Sequence, residues 1–187
     1  MKARLFIIIA IGLSFIISIL YDSFSTPTEM PQVAPVQQKI SQGQALPLLA
    51  LTTVEGEELD LSAYHGKIIL LNFWASWCAP CLQEFPAMIT LTEQFKDQVI
   101  LIAVSKDDKK QDIDKFLRKF PRYKSPSIKI VWDKNKSISE QTFNTLKVPE
   151  TIVINKNTRM VRKIVGNSSI WHDGEMKKYL EKLLKQP

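Results

Sequence analysis

A pair of cysteines in the segment Cys78-Ala79-Pro80-Cys81, the only two in the sequence, constrains this chain more than any other feature. The residues before the pair, Ile68–Phe73, form a short apolar run rich in β-branched side chains, which predicts a buried strand. Apolar residues then recur at helical spacing over 82–95, which predicts an amphipathic helix. The cysteines therefore lie where a strand passes directly into a helix.

The spacing of the cysteines leaves two interpretations open, a metal half-site and a redox pair. Residues three apart lie about one helical turn apart, so the two sulfurs can close a small disulfide and open it again. A zinc site would need a second cysteine pair or two histidines at ligand spacing, whereas His65 and His172 are far apart in sequence. The five methionines are scattered, which gives little support to copper binding. A redox pair is favoured, and metal binding is the alternative.

The predicted helix start also affects the reactivity of Cys78. The first backbone N–H groups of a helix have no internal partner, and the helix dipole there stabilises a thiolate. We therefore expect Cys78 to attack and Cys81 to resolve. Pro80 suits the first helical turn, where its missing N–H costs little. Trp77 is expected to shield one side of the Cys78 sulfur, and filling the core is its alternative role.

The segment from Phe73 to Cys81 resembles the active site of thioredoxin-fold proteins, in particular the membrane-anchored thiol–disulfide oxidoreductases of the TlpA, ResA and DsbE type. The resemblance extends over residues 45–187. Val148-Pro149 is similar to the loop in which a cis proline faces the cysteine pair. The resemblance thus implies a cis bond before Pro149 and a Val148 backbone that aligns the partner chain.

Two departures from the family pattern bear on the mechanism. Thioredoxin has a buried aspartate where this chain has Asn72, which cannot take a proton. Glu84 is therefore the candidate for moving the proton of Cys81, since it lies three residues later on the same helix face and ResA-like members carry a glutamate there. A helix-surface charge is the alternative for Glu84. The segment before Pro149 lacks the glycine-rich pattern of cytochrome-maturation members, although Glu150 fits them; an exposed loop charge is its alternative.

The N-terminal part of the chain differs in character from the remainder. Lys2 and Arg4 precede Leu5–Tyr21, an uncharged and almost wholly apolar segment near the minimum length that spans a bilayer. We expect residues 1–25 to be an uncleaved signal anchor, since no small-residue cleavage site of the A-x-A kind follows; a cleaved signal peptide is the alternative. Residues 26–44, rich in Pro, Thr, Ser and Gln, are expected to form an extended extracytoplasmic linker.

The charges around the apolar segment predict its orientation. Basic residues precede it and Asp22 follows it, so the N-terminus is expected in the cytoplasm and the remainder outside. We therefore expect a single-pass protein of the bacterial inner membrane, with its domain in the periplasm or outside, where disulfide exchange takes place. The net charge is +6, but acidic residues interleave with the basic ones over Lys106–Lys124. That pattern predicts a solvated helix face and no nucleic-acid partner.

Length and composition allow one globular domain over residues 45–187, since the chain has 187 residues of which 45% are apolar and 24% are charged. A hairpin is predicted at Leu46–Leu61, then alternating strands and helices, with helices at Asp112–Phe120 and Trp171–Lys185, and a hairpin around Asn155–Asn157. This order predicts an α/β fold with a central mixed sheet and helices on both faces. It agrees with the thioredoxin-like fold that the resemblance implies.

These expectations together indicate an extracytoplasmic thiol–disulfide oxidoreductase that uses Cys78 and Cys81. The resemblance implies that it reduces disulfides of client proteins, with apocytochrome c thiols as one client class. The sequence carries no motif for a metal, a flavin or a nucleotide cofactor, so a membrane thiol reductant is the expected electron donor. Two alternatives are a thioredoxin-fold binding or copper-handling module without redox turnover, and an oxidase of protein dithiols.

Overall fold

A five-stranded sheet lies at the centre of the part of the chain that the computed structural model describes, residues 43–47, 49–166 and 169–186. Before it, β1 (Ala50–Thr52) and β2 (Glu58–Asp60) form a separate antiparallel pair within the predicted hairpin. The central strands are β3 (Ile68–Trp74), β4 (Val99–Ser105), β5 (Ile128–Trp132), β6 (Glu150–Ile154) and β7 (Met160–Val165). The α-helices are α1 (Ala79–Gln94), α2 (Lys110–Leu117) and α3 (Glu175–Leu184).

The central sheet is mixed, as predicted, with the strand order β5-β4-β3-β6-β7. Strand β3 pairs in parallel with β4 and antiparallel with β6, and β4 pairs in parallel with β5. Every residue of β3 and β4 is buried, which is the behaviour of continuous apolar runs between two covered faces. The connections β3-α1-β4 and β4-α2-β5 step across the sheet in one direction. Because such crossovers are right-handed, α1 and α2 lie on the same face.

The two faces of the sheet carry separate apolar cores. All three α-helices contribute side chains to one core, where the Trp74 ring lies 4.3 Å from that of Phe116 and 5.7 Å from that of Phe85. The β1–β2 hairpin, a 3-10 turn at Leu61–Tyr64 and a π-helical turn at Ser137–Thr142 cover the other face. Helical segments therefore cover both faces, as predicted, although the three α-helices lie on one of them.

The chain segments before β3 pair with both edges of the central sheet. At one edge, the Gly43 N–H donates to the Met160 carbonyl at 2.7 Å, and the Met160 N–H donates to the Gln44 carbonyl at 3.1 Å. At the other edge, the Val54 N–H donates to the Ile130 carbonyl at 2.9 Å. Part of the backbone of β5 and part of that of β7 are therefore paired on their outer sides.

Two of the predicted helices have different boundaries in the structure. Helix α2 starts earlier than predicted, at Lys110. It also ends earlier, because Pro121 disfavours helical backbone at the residue before it and begins a 3-10 turn. The last helix does not begin at Trp171, which lies in a 3-10 turn. Gly174 has a φ of 80°, a left-handed conformation that breaks the helical path, so α3 begins only after it.

The predicted signal anchor at residues 1–25 lies outside the described residues. Of the predicted linker at residues 26–44, only the last two residues are described. Among the helices that are described, none combines the length and the apolar character needed to cross a bilayer.

Candidate active site

The two cysteines form a disulfide where β3 passes into α1, with their Cα atoms 5.3 Å apart. Cys78 is the N-cap residue of α1, and its Sγ accepts a hydrogen bond from the Cys81 N–H at 3.2 Å. This N–H is one of the amides that a helix leaves without an internal partner. It therefore points at the sulfur on which we expect the negative charge of the reduced protein. Pro80 lies in the first turn, where no N–H is needed.

Trp77 lies on the surface next to Cys78, with 72% of the residue exposed. Its alternative role of filling the core is therefore wrong. Trp74, three residues earlier, is fully buried and fills the core instead. An exposed indole beside a redox-active cysteine provides apolar area for a partner to contact.

Glu84 is buried in the domain, with only 2% of its surface exposed. Its alternative role as a helix-surface charge is therefore wrong. Its Oε1 accepts a hydrogen bond from Asn72 Nδ2 at 3.4 Å, and the same amide donates to Thr151 Oγ1 at 2.9 Å. Its Oε2 has no hydrogen-bond partner among the described residues. Since Glu84 follows Cys81 by three residues on α1, both side chains leave the helix on the same face.

Burial raises the pKa of the Glu84 carboxyl to about 7, because surroundings with little polar contact disfavour its charged form. The N–H groups of Asn72 and Trp171 lower this pKa and partly offset the burial. Only the Asn72 amide comes within hydrogen-bond distance of the carboxyl. Near neutral pH the carboxyl therefore exists in both protonation states, as a group that accepts and returns a proton must.

The loop before β6 carries the implied cis peptide bond, between Val148 and Pro149. Glu150, the next residue, pairs with Phe73 near the end of β3, so Pro149 lies at the edge of the sheet from which the cysteine loop emerges. The Pro149 carbonyl accepts a hydrogen bond from Gly166 at 2.9 Å. Val148 is partly buried and packs against both cores.

Glu150 is buried, with 5% of its surface exposed, and its alternative role as an exposed loop charge is therefore wrong. Its Oε1 lies 2.8 Å from Lys163 Nζ on β7 and accepts a hydrogen bond from the Thr145 hydroxyl. A buried carboxylate needs such partners, since their loss would leave a charge without compensation. The contacts hold the start of β6 to the loop that precedes Pro149.

Two residues that sequence analysis did not single out, Lys106 and Asp107, follow β4 at the edge of the sheet near the cysteines. The predicted solvated helix face is wrong for Lys106, which is 6% exposed, and Asp107 is 2% exposed. A signal for both was available. Parallel neighbouring strands end on the same side of a sheet. Since β4 is parallel to β3, polar residues directly after β4 are expected close to the cysteine loop that follows β3.

Proteins of known activity are similar to this chain in sequence. The model of the AhpC/TSA family matches residues 42–163. The thiol–disulfide oxidoreductase ResA of Bacillus subtilis (strain 168) is 29% identical over 175 residues, which cover 92% of this chain and 92% of that protein. ResA of Geobacillus kaustophilus (strain HTA426) is 34% identical over 128 residues, which cover 68% of this chain and 71% of that protein.

Solved structures are similar to this chain in fold. A crystal structure of a Chlorobium tepidum protein assigned as the thiol:disulfide interchange protein DsbE superposes with a TM-score of 0.65 at 27% identity, covering 77% of this chain and 99% of that one. The crystal structure of StoA from Bacillus subtilis, at 22% identity, has a TM-score of 0.58 and covers 74% and 99%. The thioredoxin-like fold is thereby confirmed.

In the reduced protein, we expect iodoacetamide to react with Cys78 before Cys81 near neutral pH. The Cys81 N–H faces the Cys78 sulfur at the helix start and favours its thiolate. Mass mapping of partially alkylated protein measures the order. As a companion test, Cys81→Ala should accumulate mixed disulfides with partner proteins, whereas Cys78→Ala should not. Equal labelling, or Cys81 first, would contradict this assignment.

Glu84→Gln should stabilise the fold at alkaline pH. Because the pKa of Glu84 is raised to about 7, the stability linked to its protonation is fully present at low pH and is lost as the pH rises through 7. The variant should therefore be more stable by on the order of 2–3 kcal/mol at pH 8 and nearly equal to the wild type at pH 4. Urea unfolding at both pH values measures this, with the exposed Glu181→Gln as the matched control.

The same variant should slow thiol–disulfide exchange and shift its pH profile, since the group that takes the Cys81 proton is lost. The ionised Glu84 carboxylate also disfavours the formation of a thiolate nearby, so its removal should shift the pH dependence of exchange. Stopped-flow exchange rates between pH 5 and 9 measure both the slower exchange and the shifted pH profile. Rates and a profile equal to those of the wild type would leave Glu84 with a structural role alone.

Proposed function

We propose that this chain, which belongs to the AhpC/TSA family and is a thiol–disulfide oxidoreductase, reduces disulfides of client proteins on the outer side of a bacterial cytoplasmic membrane. The observation that carries the proposal is the Cys78–Cys81 disulfide at the start of α1, where the Cys81 N–H faces the Cys78 sulfur. The buried Glu84 carboxyl on the same helix gives the pair a group that can take up and release a proton without solvent.

The reaction proceeds in two exchanges. The Cys78 thiolate attacks a client disulfide, whose S–S bond breaks as a mixed disulfide forms and one client thiol leaves. Cys81 then loses its proton and attacks the Cys78 sulfur, which breaks the mixed disulfide and releases the second client thiol. Two electrons have passed to the client, and the chain is left with the Cys78–Cys81 disulfide seen in the structure. A membrane thiol reductant returns the two electrons.

Glu84 acts in the second exchange. It accepts the proton of Cys81 as that thiol becomes the attacking thiolate, and it returns the proton when the pair is reduced again. Asn72 holds the carboxyl by one oxygen and is itself held by Thr151. The second oxygen makes no hydrogen bond among the described residues, and the Trp171 N–H acts on the carboxyl from beyond hydrogen-bond distance.

The client docks at the end of the sheet where β3 finishes and the cysteine loop begins. The exposed large apolar residues of the described chain are Trp77, Leu146 and Val165. Trp77 precedes Cys78, Leu146 lies in the loop before Pro149, and Val165 pairs with Glu150 at the end of β7. Three exposed apolar side chains at one edge are a contact surface for a partner.

The backbone of Val148 can orient the docked client segment. Within the described residues, neither its N–H nor its carbonyl makes a hydrogen bond, and it lies just outside the β3–β6 ladder, which begins at Glu150. A client segment can therefore add as a short strand beside Val148 and bring its disulfide to Cys78.

Location and client class rest on the sequence. The apolar segment at residues 5–21 and the proline-bearing linker at residues 26–44 suit a domain held outside the membrane. Similar proteins are named a thiol–disulfide oxidoreductase and a thiol:disulfide interchange protein, which supports disulfide exchange with protein clients. The reducing direction is what the family resemblance implies. Apocytochrome c thiols are one client class, although the segment 144–148 lacks the glycine-rich pattern of cytochrome-maturation members.

The direction of electron flow is tested by the reduction potential of the cysteine pair. We expect a potential below about −250 mV, close to that of thioredoxin and far below that of the oxidant DsbA. Equilibration of the protein with dithiothreitol buffers, read by alkylation and mass, measures it. A potential near about −120 mV would instead support the oxidase of protein dithiols. Client binding that persists in Cys78→Ala, without turnover in the wild type, would support the binding module.

The location is tested by cell fractionation and N-terminal sequencing. We expect residues 5–21 to remain on the mature protein and to keep it in the membrane fraction, because no small-residue cleavage site follows them. Deleting residues 1–25 should give a soluble domain that folds and retains disulfide exchange. A soluble periplasmic protein with a new N-terminus near Thr26 would show that the segment is a cleaved signal peptide.

A further inference from the structure

Two consecutive charged residues after β4 are buried and contact different parts of the active site. Buried charges are rare in proteins unless they are paired or hydrogen-bonded. Lys106 and Asp107 are 6% and 2% exposed, and neither belongs to the Cys78–Cys81–Glu84 set that carries the reaction. Their partners show what each of them holds in place.

Asp107 holds the cysteine loop. Its Oδ2 accepts a hydrogen bond from the Ser76 backbone N–H at 2.9 Å, and its Oδ1 accepts one from the Ser76 hydroxyl at 2.7 Å. The Ser105 hydroxyl donates to Oδ2 at 2.7 Å and so fixes the carboxylate itself. Ser76 lies two residues before Cys78. The carboxylate thus fastens the turn between the end of β3 and the attacking sulfur.

Lys106 holds the loop before the cis proline. Its Nζ donates to the Thr145 carbonyl at 2.9 Å and lies 3.0 Å from Glu140 Oε1 in the π-helical turn. Thr145 in turn donates its hydroxyl to Glu150. The backbone N–H of Lys106 donates to the Trp74 carbonyl at 2.9 Å, so the lysine is bonded to the last residue of β3.

We propose that Lys106 and Asp107 are positioning residues with separate tasks, Asp107 for the sulfur chemistry of Cys78 and Lys106 for client docking at the loop before Pro149. The contacts of Asp107 reach the cysteine loop, and the side-chain contacts of Lys106 reach Thr145 and Glu140. Neither residue touches a reacting sulfur in these contacts. The separation holds whether the pair reduces or oxidises its clients, so it does not depend on the direction of electron flow.

The two tasks are separated by two different probes. The first is 5,5′-dithiobis(2-nitrobenzoate), a small disulfide that needs no docking surface. Cys78 of the reduced protein breaks the reagent's disulfide, releases one thionitrobenzoate and keeps the other as a mixed disulfide. Cys81 then breaks that mixed disulfide, releases the second thionitrobenzoate and closes the Cys78–Cys81 bond. The rate of the second release reports the placement of Cys78 against Cys81.

The second probe is insulin, with dithiothreitol as the source of electrons. Its reduction requires a polypeptide segment to dock, so its KM reports the docking loop and its kcat reports the sulfur chemistry. All variants are made in the full chain and compared at a pH where the rate has reached its plateau. At that plateau, a change in the ionisation of the thiols no longer affects the rate.

Asp107→Ala should slow the second release by about tenfold to a hundredfold, since a misplacement of about 1 Å of a reacting group can lower a rate by about a hundredfold. Asp107→Asn keeps one acceptor oxygen for Ser76 and should recover most of the rate. Lys106→Met should leave the second release unchanged, and it should raise the insulin KM about tenfold with little change in kcat. Lys106→Arg keeps a donor for Thr145 and should restore the KM.

Asp108→Asn is the matched control, because Asp108 is the next residue, is exposed and pairs only with Lys136 among the described residues. It should behave as the wild type with both probes. If Asp107→Ala or Lys106→Met fails to fold, Ser76→Ala and Glu140→Gln remove one partner of each and should show weaker effects in the same directions. The proposal would be overturned if Asp107→Ala raised the insulin KM, if Lys106→Met slowed the second release, or if both variants matched Asp108→Asn.

Discussion

The parallel pairing of β3 with β4 determines where the parts of the active site meet. Their register runs from Ile68 opposite Val99 to Trp74 opposite Ser105, so the two strands end together. The cysteine loop leaves one strand and the Lys106–Asp107 pair leaves the other. The antiparallel strand β6 starts at the same edge, which adds the cis-proline loop. Loops from three distant parts of the sequence thus converge on a rigid sheet, an arrangement that holds reactive groups in place.

Asn72 lies where thioredoxin has a buried aspartate, and this replacement is compatible with the burial of Glu84 beside it. The Asn72 amide lies 3.4 Å from the Glu84 carboxyl. Two carboxyl groups at that separation could not both ionise, and their protons would be shared in coupled steps. With an amide at position 72, a single carboxyl titrates, and a neutral donor holds it. Compared with thioredoxin, the buried carboxyl lies at position 84, on the cysteine helix, and not at position 72.

Features that depend on local pattern were predictable from the sequence. The apolar run at residues 68–73 identified β3, and the residues after the cysteines identified α1, because strand and helix periodicity can be seen within one segment. The cis bond before Pro149 was not accessible in this way, since few X-Pro bonds are cis. It followed from the family resemblance.

Burial of single charged or aromatic residues was not predictable. Glu84 in α1 and Glu150 at the start of β6 have ionisable side chains, yet both are buried, because elements distant in sequence cover them. Trp77 is among the most apolar side chains near the site and yet is exposed. The α3 start was missed since one glycine, Gly174, takes a left-handed conformation that helical periodicity does not reveal.

The pairing of residues 43–44 and Val54 with the outer strands of the sheet limits unwanted strand pairing with other proteins. An open strand edge is a template for any extended chain, including a second copy of the same protein. The protein clients proposed for this domain can present such segments. With backbone of β5 and β7 already paired, entry of foreign strands is discouraged away from the cysteines. Under the docking proposed at Val148, a client strand would then find fewer open strand edges elsewhere on which to aggregate.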